Sequence, residues 1–115
     1  FIMIKIYHNA RCSKSRCGVE ILEKSGKDFE VVKYLEDVPT AEGLKDIIKL
    51  LGIKPIELVR KGESIWKDSF KNKDLSDAEI ITAMVENPKL IERPIVINGN
   101  KAVIGRPPEL ILEII

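Results

Sequence analysis

A mixed α/β fold is predicted for this 115-residue chain by three features of its sequence. An apolar, β-branched run near the amino end is followed by an amphipathic helical pattern and a second strand-like run. Helix signals then occupy the middle, and two further strand-like runs flanking Asn98-Gly99 precede a last helical pattern. The order βαβ, helical insert, ββα implies a four-stranded sheet with both parallel and antiparallel neighbours.

The elements follow in order. Ile2-Met3-Ile4-Lys5-Ile6-Tyr7 has the composition of a buried strand and stops at polar His8-Asn9. From Ser13 a helix is expected to run to Gly26. Cys17, Gly18, Ile21, Leu22 and Ser25 lie on one side, with Arg16, Glu20, Glu23 and Lys24 mostly on the other. Phe29-Glu30-Val31-Val32-Lys33-Tyr34-Leu35 reads as the second strand, and a crossover of this length packs back with parallel strands and right-handed chirality. Pro39-Thr40 opens a helix in which Leu44, Ile47, Ile48 and Leu51 follow the i, i+3, i+4, i+7 spacing, and Gly52 closes it. Pro55 starts a short helix through Val59, after which residues 61–74 are polar and irregular.

Ser76-Asp77-Ala78-Glu79 spells a capping box ahead of Ile80, Ala83 and Met84, and Asn87-Pro88 ends that helix. Pro94-Ile95-Val96-Ile97 and Lys101-Ala102-Val103-Ile104 form an antiparallel pair around Asn98-Gly99. Gly105-Arg106-Pro107-Pro108 leads into a terminal helix carrying Leu110, Ile111 and Ile114. This order is that of the thioredoxin fold, expected as one domain over 1–115 with a helical insertion at about 39–88.

Composition narrows the function. A hydrophobic content of 44% in 115 residues supports a core without disulfides or metal. With 19 basic against 18 acidic residues there is no electrostatic footprint for nucleic acid or an anionic membrane, so any cationic site is local. Two cysteines are too few for a secreted disulfide framework. No signal-peptide pattern or membrane-spanning apolar run is found, and a reducing cytoplasm is the expected setting. His8, the only histidine, and the Asp and Glu residues match no metal-ligand spacing, so no metal is expected.

Chemistry concentrates at Cys12 in Asn9-Ala10-Arg11-Cys12-Ser13-Lys14-Ser15-Arg16. A helix start presents unpaired backbone N–H groups and the positive end of the helix dipole. A cysteine there is held partly as thiolate, and an oxyanion can dock beside it. Arg60, Arg93 and Arg106 each sit at an element boundary. If they converge, their planar forks would bind a doubly charged oxyanion and offset its repulsion from the nucleophile; otherwise they are solvated surface groups.

Tyr7-His8-Asn9, Cys12-Ser13-Lys14-Ser15-Arg16, Glu92-Arg93-Pro94-Ile95-Val96 and Gly105-Arg106-Pro107 resemble the glutaredoxin-linked arsenate reductases. Leu51-Gly52-Ile53 and Leu58-Val59-Arg60 resemble that family's middle, so the likeness spans nearly the whole chain. The resemblance implies Cys12 as nucleophile, Arg60, Arg93 and Arg106 as oxyanion ligands, His8 near the thiolate and Pro94 in the cis form. It also implies glutathione as co-substrate and glutaredoxin as partner, with no tightly bound cofactor. Ala10 stands where the family's proline is expected.

Several residues carry two readings. Cys17 shares a stripe with Ile21 and is expected to be buried packing; a disulfide with Cys12 under oxidation is the alternative. His8 is either a strand-end residue or an imidazole titrating with the thiolate. Arg16 either lines the anion site or faces solvent. Trp66, in the weakly patterned segment from Gly62 to Asn72, is a packing anchor or part of a partner surface. Two rival functions share the fold: an Spx-type regulator that binds RNA polymerase, although Ser15 stands in the place of its second switch cysteine, and a glutathione-dependent thiol reductase with another substrate. A phosphatase loop of the C-x5-R type is excluded because Gly18 stands at its arginine position.

Overall fold

Four short strands, β1 (Ile4–Tyr7), β2 (Phe29–Val32), β3 (Ile95–Asn98) and β4 (Lys101–Ile104), form one mixed sheet in the order β2-β1-β3-β4. The computed structural model describes residues 3–115, so Ile2 of the expected first strand lies outside the described residues. β1 runs parallel to β2 and antiparallel to β3, and β3 pairs antiparallel with β4. The chain divides into two compact units, residues 1–37 with 93–115, and residues 38–92.

In the first unit, α1 (Ser13–Ser25) has Cys12 in extended conformation at its N-cap position and ends at Gly26, whose φ of 74° supplies the left-handed turn. Its inward stripe is Ser15, Gly18 and Leu22. Leu22 joins Ile4, Ile6, Val96 and Ile111 in a buried cluster, flanked by Val19, Ile21, Phe29 and Val103. Alternation along β1 explains the selection: Ile4 and Ile6 are buried while Lys5 between them is exposed. This is the thioredoxin-like arrangement the sequence predicts.

Several expectations need correction. β2 stops at Val32 rather than Leu35, because the Lys33 carbonyl accepts from the N–H groups of Glu36 and Asp37 and turns the chain; Tyr34 is nevertheless buried. β3 begins at Ile95 and includes Asn98, which pairs with Lys101, so the hairpin turn is Gly99-Asn100, one residue later than expected, with Gly99 at φ 64°. The terminal helix is a 3₁₀-helix, Pro108–Glu113, which buries Pro108 and Ile111. Cys17 is exposed, not buried. It lies about 100° around the helix from Gly18 and off the 15, 18, 22 stripe.

The second unit is helical. α2 (Ala41–Leu51) is capped by Thr40, whose Oγ1 accepts from the Gly43 N–H, and closed by Gly52 at φ 68°. It buries Leu44, Ile47 and Ile48. A 3₁₀ turn at Pro55–Leu58 follows. The segment expected to be irregular contains a short helix, α3 (Ser64–Ser69), which buries Trp66 and stacks it on Phe70 with ring centroids 5.6 Å apart. Local pattern missed it because six residues are too few to show a helical period. The α4 helix (Asp77–Glu86) carries the expected capping box, with Ser76 Oγ accepting from the Glu79 N–H and the Glu79 carboxylate accepting from the Ser76 N–H. A 3₁₀ turn, Pro88–Leu90, and an isolated antiparallel bridge between Val59 and Ile91 complete the unit. No helix among the described residues is long and apolar enough to cross a membrane.

Leu22 is fully buried. Leu22→Ala should therefore lower unfolding stability by about 2–5 kcal/mol, read as a reduced urea midpoint with unchanged slope. Ser76→Ala should lower it by about 1 kcal/mol in the same measurement.

Candidate active site

β1 delivers the chain to a tightly held loop. The His8 N–H continues the parallel pairing by donating to Val32 O at 2.9 Å. Beyond it, Asn9 Oδ1 accepts from the Arg11 N–H at 3.0 Å, and Asn9 O accepts from the Cys12 N–H at 3.0 Å. Ser15, fully buried in the first turn of α1, ties the helix back to the strand end through its Oγ, which accepts from the Asn9 N–H at 3.2 Å. Arg16 bends back and its Nη1 donates to Ala10 O at 2.9 Å. Arg16 is largely exposed and clamps the loop ahead of the cysteine.

The strand register brings two distant arginines to the same end of the sheet. Tyr7, the last residue of β1, pairs with Ile95, and Ile95 pairs with Ile104, the last residue of β4. Arg93 therefore precedes β3, and Arg106 follows β4, where β1 gives way to the cysteine loop. The Gly105 N–H donates to Pro94 O at 2.8 Å, and Arg106 Nε donates to Arg93 O at 2.8 Å. With one edge of the guanidinium so fixed, Arg106 Nη2 donates to Cys12 Sγ at 3.5 Å. The Arg93–Pro94 bond is cis, in line with the resemblance, and Arg106–Pro107 is also cis.

These neighbours set the state of the sulfur. Partial burial is the largest single influence on Cys12 and opposes ionisation. The backbone N–H of Ser15, the Arg93 guanidinium and the backbone N–H of Lys14 together outweigh it, and the thiol pKa falls to about 7. His8 shifts the other way for a cation: burial, then the charges of Lys33 and Arg16, lower its pKa, against a raising contact with the Ser15 backbone. Its imidazole is therefore mainly neutral at pH 7 and adds little positive charge beside the thiolate.

Cys12, Arg93 and Arg106 are thus brought together. Arg60 belongs to the second unit, where its Nη1 lies 3.2 Å from Glu92 Oε1 and its Nε 3.7 Å from Glu63 Oε1. The buried Ser15 hydroxyl escaped the sequence reading as a loop anchor. Its signal was a position three residues after Cys12, where an inward helical face returns.

Alkylation measures the thiolate directly. In a Cys17→Ser background, which removes the exposed second thiol, the rate of iodoacetamide labelling should rise with pH through a midpoint of about 7. Arg93→Ala should move that midpoint upward, because one of the groups favouring the anion is lost. Because the folded-state pKa is depressed, the thiolate contributes stability at alkaline pH that disappears as pH falls through about 7. Cys12→Ser should abolish this part of the pH dependence of urea unfolding.

Comparison with known proteins follows the same residues. The family model described as the ArsC family matches residues 7–114. The Escherichia coli protein YfgD is 49% identical over 114 residues, covering 97% of this chain and 96% of its own length. An arsenate reductase of Haemophilus influenzae is 46% identical over 112 residues, covering 96% and 97%. The solved structure of an arsenate reductase from Vibrio cholerae superposes with a TM-score of 0.94 at 43% identity, over 99% of this chain and 98% of that one. The match runs from the end of β1 through the cysteine loop and both arginine-proline junctions to the C-terminal turn, and the chain belongs to the ArsC family.

Proposed function

We propose that the protein is a thiol-dependent oxidoreductase that reduces arsenate to arsenite, with Cys12 as nucleophile and glutathione and glutaredoxin as the reducing system. The observation that carries this reading is a sulfur with its pKa lowered to about 7 that lies 3.5 Å from the Arg106 guanidinium. Arsenate reductases from Haemophilus influenzae and Neisseria meningitidis, 46% and 42% identical to this chain, support it.

Arsenate is a tetrahedral oxyanion, so the guanidinium groups of Arg93 and Arg106 would hold two of its oxygens and draw negative charge away from the approaching thiolate. Cys12 sulfur then bonds to arsenic(V) and a protonated oxygen leaves as water. Glutathione thiolate forms a disulfide bond with Cys12 sulfur while the sulfur–arsenic bond breaks. Its electron pair passes to arsenic, which leaves as arsenite. Two thiols thus supply the two electrons, and no metal or organic cofactor takes part. Glutaredoxin exchanges its thiolate for the glutathione half of the mixed disulfide and returns Cys12 to the thiol. A cytoplasmic setting would keep that cycle supplied. Arg60 is the third oxyanion ligand that the resemblance implies.

Arsenite production by the purified protein tests the proposal. Turnover should require both glutathione and glutaredoxin, vanish in Cys12→Ser and persist in Cys17→Ser; equal loss in the two variants would indicate a two-cysteine cycle instead. Arg93→Ala and Arg106→Ala should each lower kcat/KM by the equivalent of about 1.5–3 kcal/mol, the range for one charged hydrogen bond. Retention of RNA polymerase subunits in a pull-down, without arsenate turnover, would favour the Spx-type function.

A further inference from the structure

Two glycines in the first unit press against the same pair of side chains. A Cβ on Gly18 would lie 3.1 Å from Ile111 Cδ1, 3.1 Å from Ile6 Cδ1 and 3.2 Å from Pro94 Cγ. A Cβ on Gly105 would lie 2.9 Å from Pro94 Cγ and 3.1 and 3.3 Å from Ile111 Cδ1 and Cγ1. Neither glycine has a positive φ, unlike Gly26, Gly52 and Gly99. Backbone conformation therefore does not call for glycine at 18 or 105; space does. Pro94 and Ile111 are themselves fully buried, so neither can swing into solvent to make room.

The chain positions of these contacts matter. Gly18 is on α1, the helix that begins at Cys12. Gly105 immediately precedes Arg106, and Pro94 immediately follows Arg93. One packed spot therefore supports all three groups of the candidate site. Backbone and side-chain hydrogen bonds join the same segments, from the Gly105 N–H to Pro94 O and from Arg106 Nε to Arg93 O, each at 2.8 Å.

We propose that Gly105 and Gly18 are positioning residues: the missing Cβ atoms let the Arg106 loop and helix α1 both seat on Pro94 and Ile111, and so set the separation between the Cys12 sulfur and the guanidinium groups of Arg93 and Arg106. A methyl group at 105 forces either the 105–107 loop or the Pro94 ring aside, and each movement shifts an arginine relative to the sulfur. A methyl at 18 pushes α1 from the same support and carries Cys12 with it. Displacements of this order matter because charged hydrogen bonds to an anion weaken steeply once their geometry is lost.

The test is alkylation of Cys12 in the Cys17→Ser background, with arsenate as protecting anion. Only the arsenate arm rests on the proposed function. Gly105→Ala should raise the labelling midpoint from about 7 toward the free-thiol value of roughly 8.5, and raise the arsenate concentration for half-protection by about tenfold. Gly18→Ala, whose Cβ would meet nothing nearer than 3.1 Å and where alanine favours the helix, should fold and show the same changes at about threefold. Adding Ile111→Val removes the Cδ1 that meets both methyls and should recover part of each effect. Leu22→Ala, which removes a buried α1 side chain without adding an atom near Pro94, should lower the melting temperature yet keep the midpoint near 7.

Unchanged midpoints and protection in both glycine variants would overturn the proposal, whatever their melting temperatures. So would a Leu22→Ala variant that shifts as much as they do. If Gly105→Ala does not fold, Gly18→Ala with and without Ile111→Val decides the matter. Shifted midpoints in a protein that arsenate never protects would uphold the positioning role while refuting the arsenate reading.

Discussion

The contest at the Cys12 sulfur governs the rest of the molecule. Taking an anionic sulfur partly out of water is unfavourable, and here that is the largest influence acting on it. Two backbone N–H groups from the first turn of α1 and the Arg93 guanidinium reverse the balance. Neither source is sufficient by composition: the N–H groups are oriented only if α1 starts at Ser13, and Arg93 is in reach only if β3 starts beside the end of β1. The fold's local details can be read as conditions on that one ionisation.

Antiparallel pairing does the long-range part. A parallel neighbour would place the start of β3 at the far end of β1, whereas the observed register sets Ile95 against Tyr7. The hairpin then returns β4 so that Ile104 lies opposite Ile95, and Arg106 emerges at the same end. Two cations placed together repel one another, and the thiolate between them relieves this. Arg106 is further restrained through Arg93 O, so its orientation is set by the folded chain itself. Preorganisation of this kind lets binding energy act on the reaction instead of on ordering side chains.

Much of this was legible locally. Helix ends announced by Gly26, Thr40, Gly52 and the Ser76–Glu79 box form where expected, since each satisfies otherwise unpaired backbone groups within a few residues. Errors fall where longer-range packing decides. Leu35 looks like a strand residue, yet the chain turns at Lys33 and leaves it exposed while burying Tyr34. Trp66 is buried and its stack on Phe70 is a local i, i+4 contact, but a six-residue helix is too short to show a repeating apolar pattern. Cys17 shares an apolar stripe on a helical wheel, but the face that meets the sheet is narrower and consists of small residues, Ser15 and Gly18, beside Leu22.

The sequence by itself determined the order of strands and helices, the cysteine at a helix start, and the chemistry available to it, because propensity, caps and residue type act over a few positions. It also held every arginine without saying which would meet the sulfur. Only the tertiary structure decided that Arg16, four residues from Cys12, turns back to the Ala10 carbonyl, while Arg106, 94 residues away, reaches the sulfur. The physical reason is that a guanidinium's partner depends on strand register and on how closely buried surfaces approach, down to the missing Cβ atoms of Gly18 and Gly105, and those quantities exist only once the chain has closed on itself.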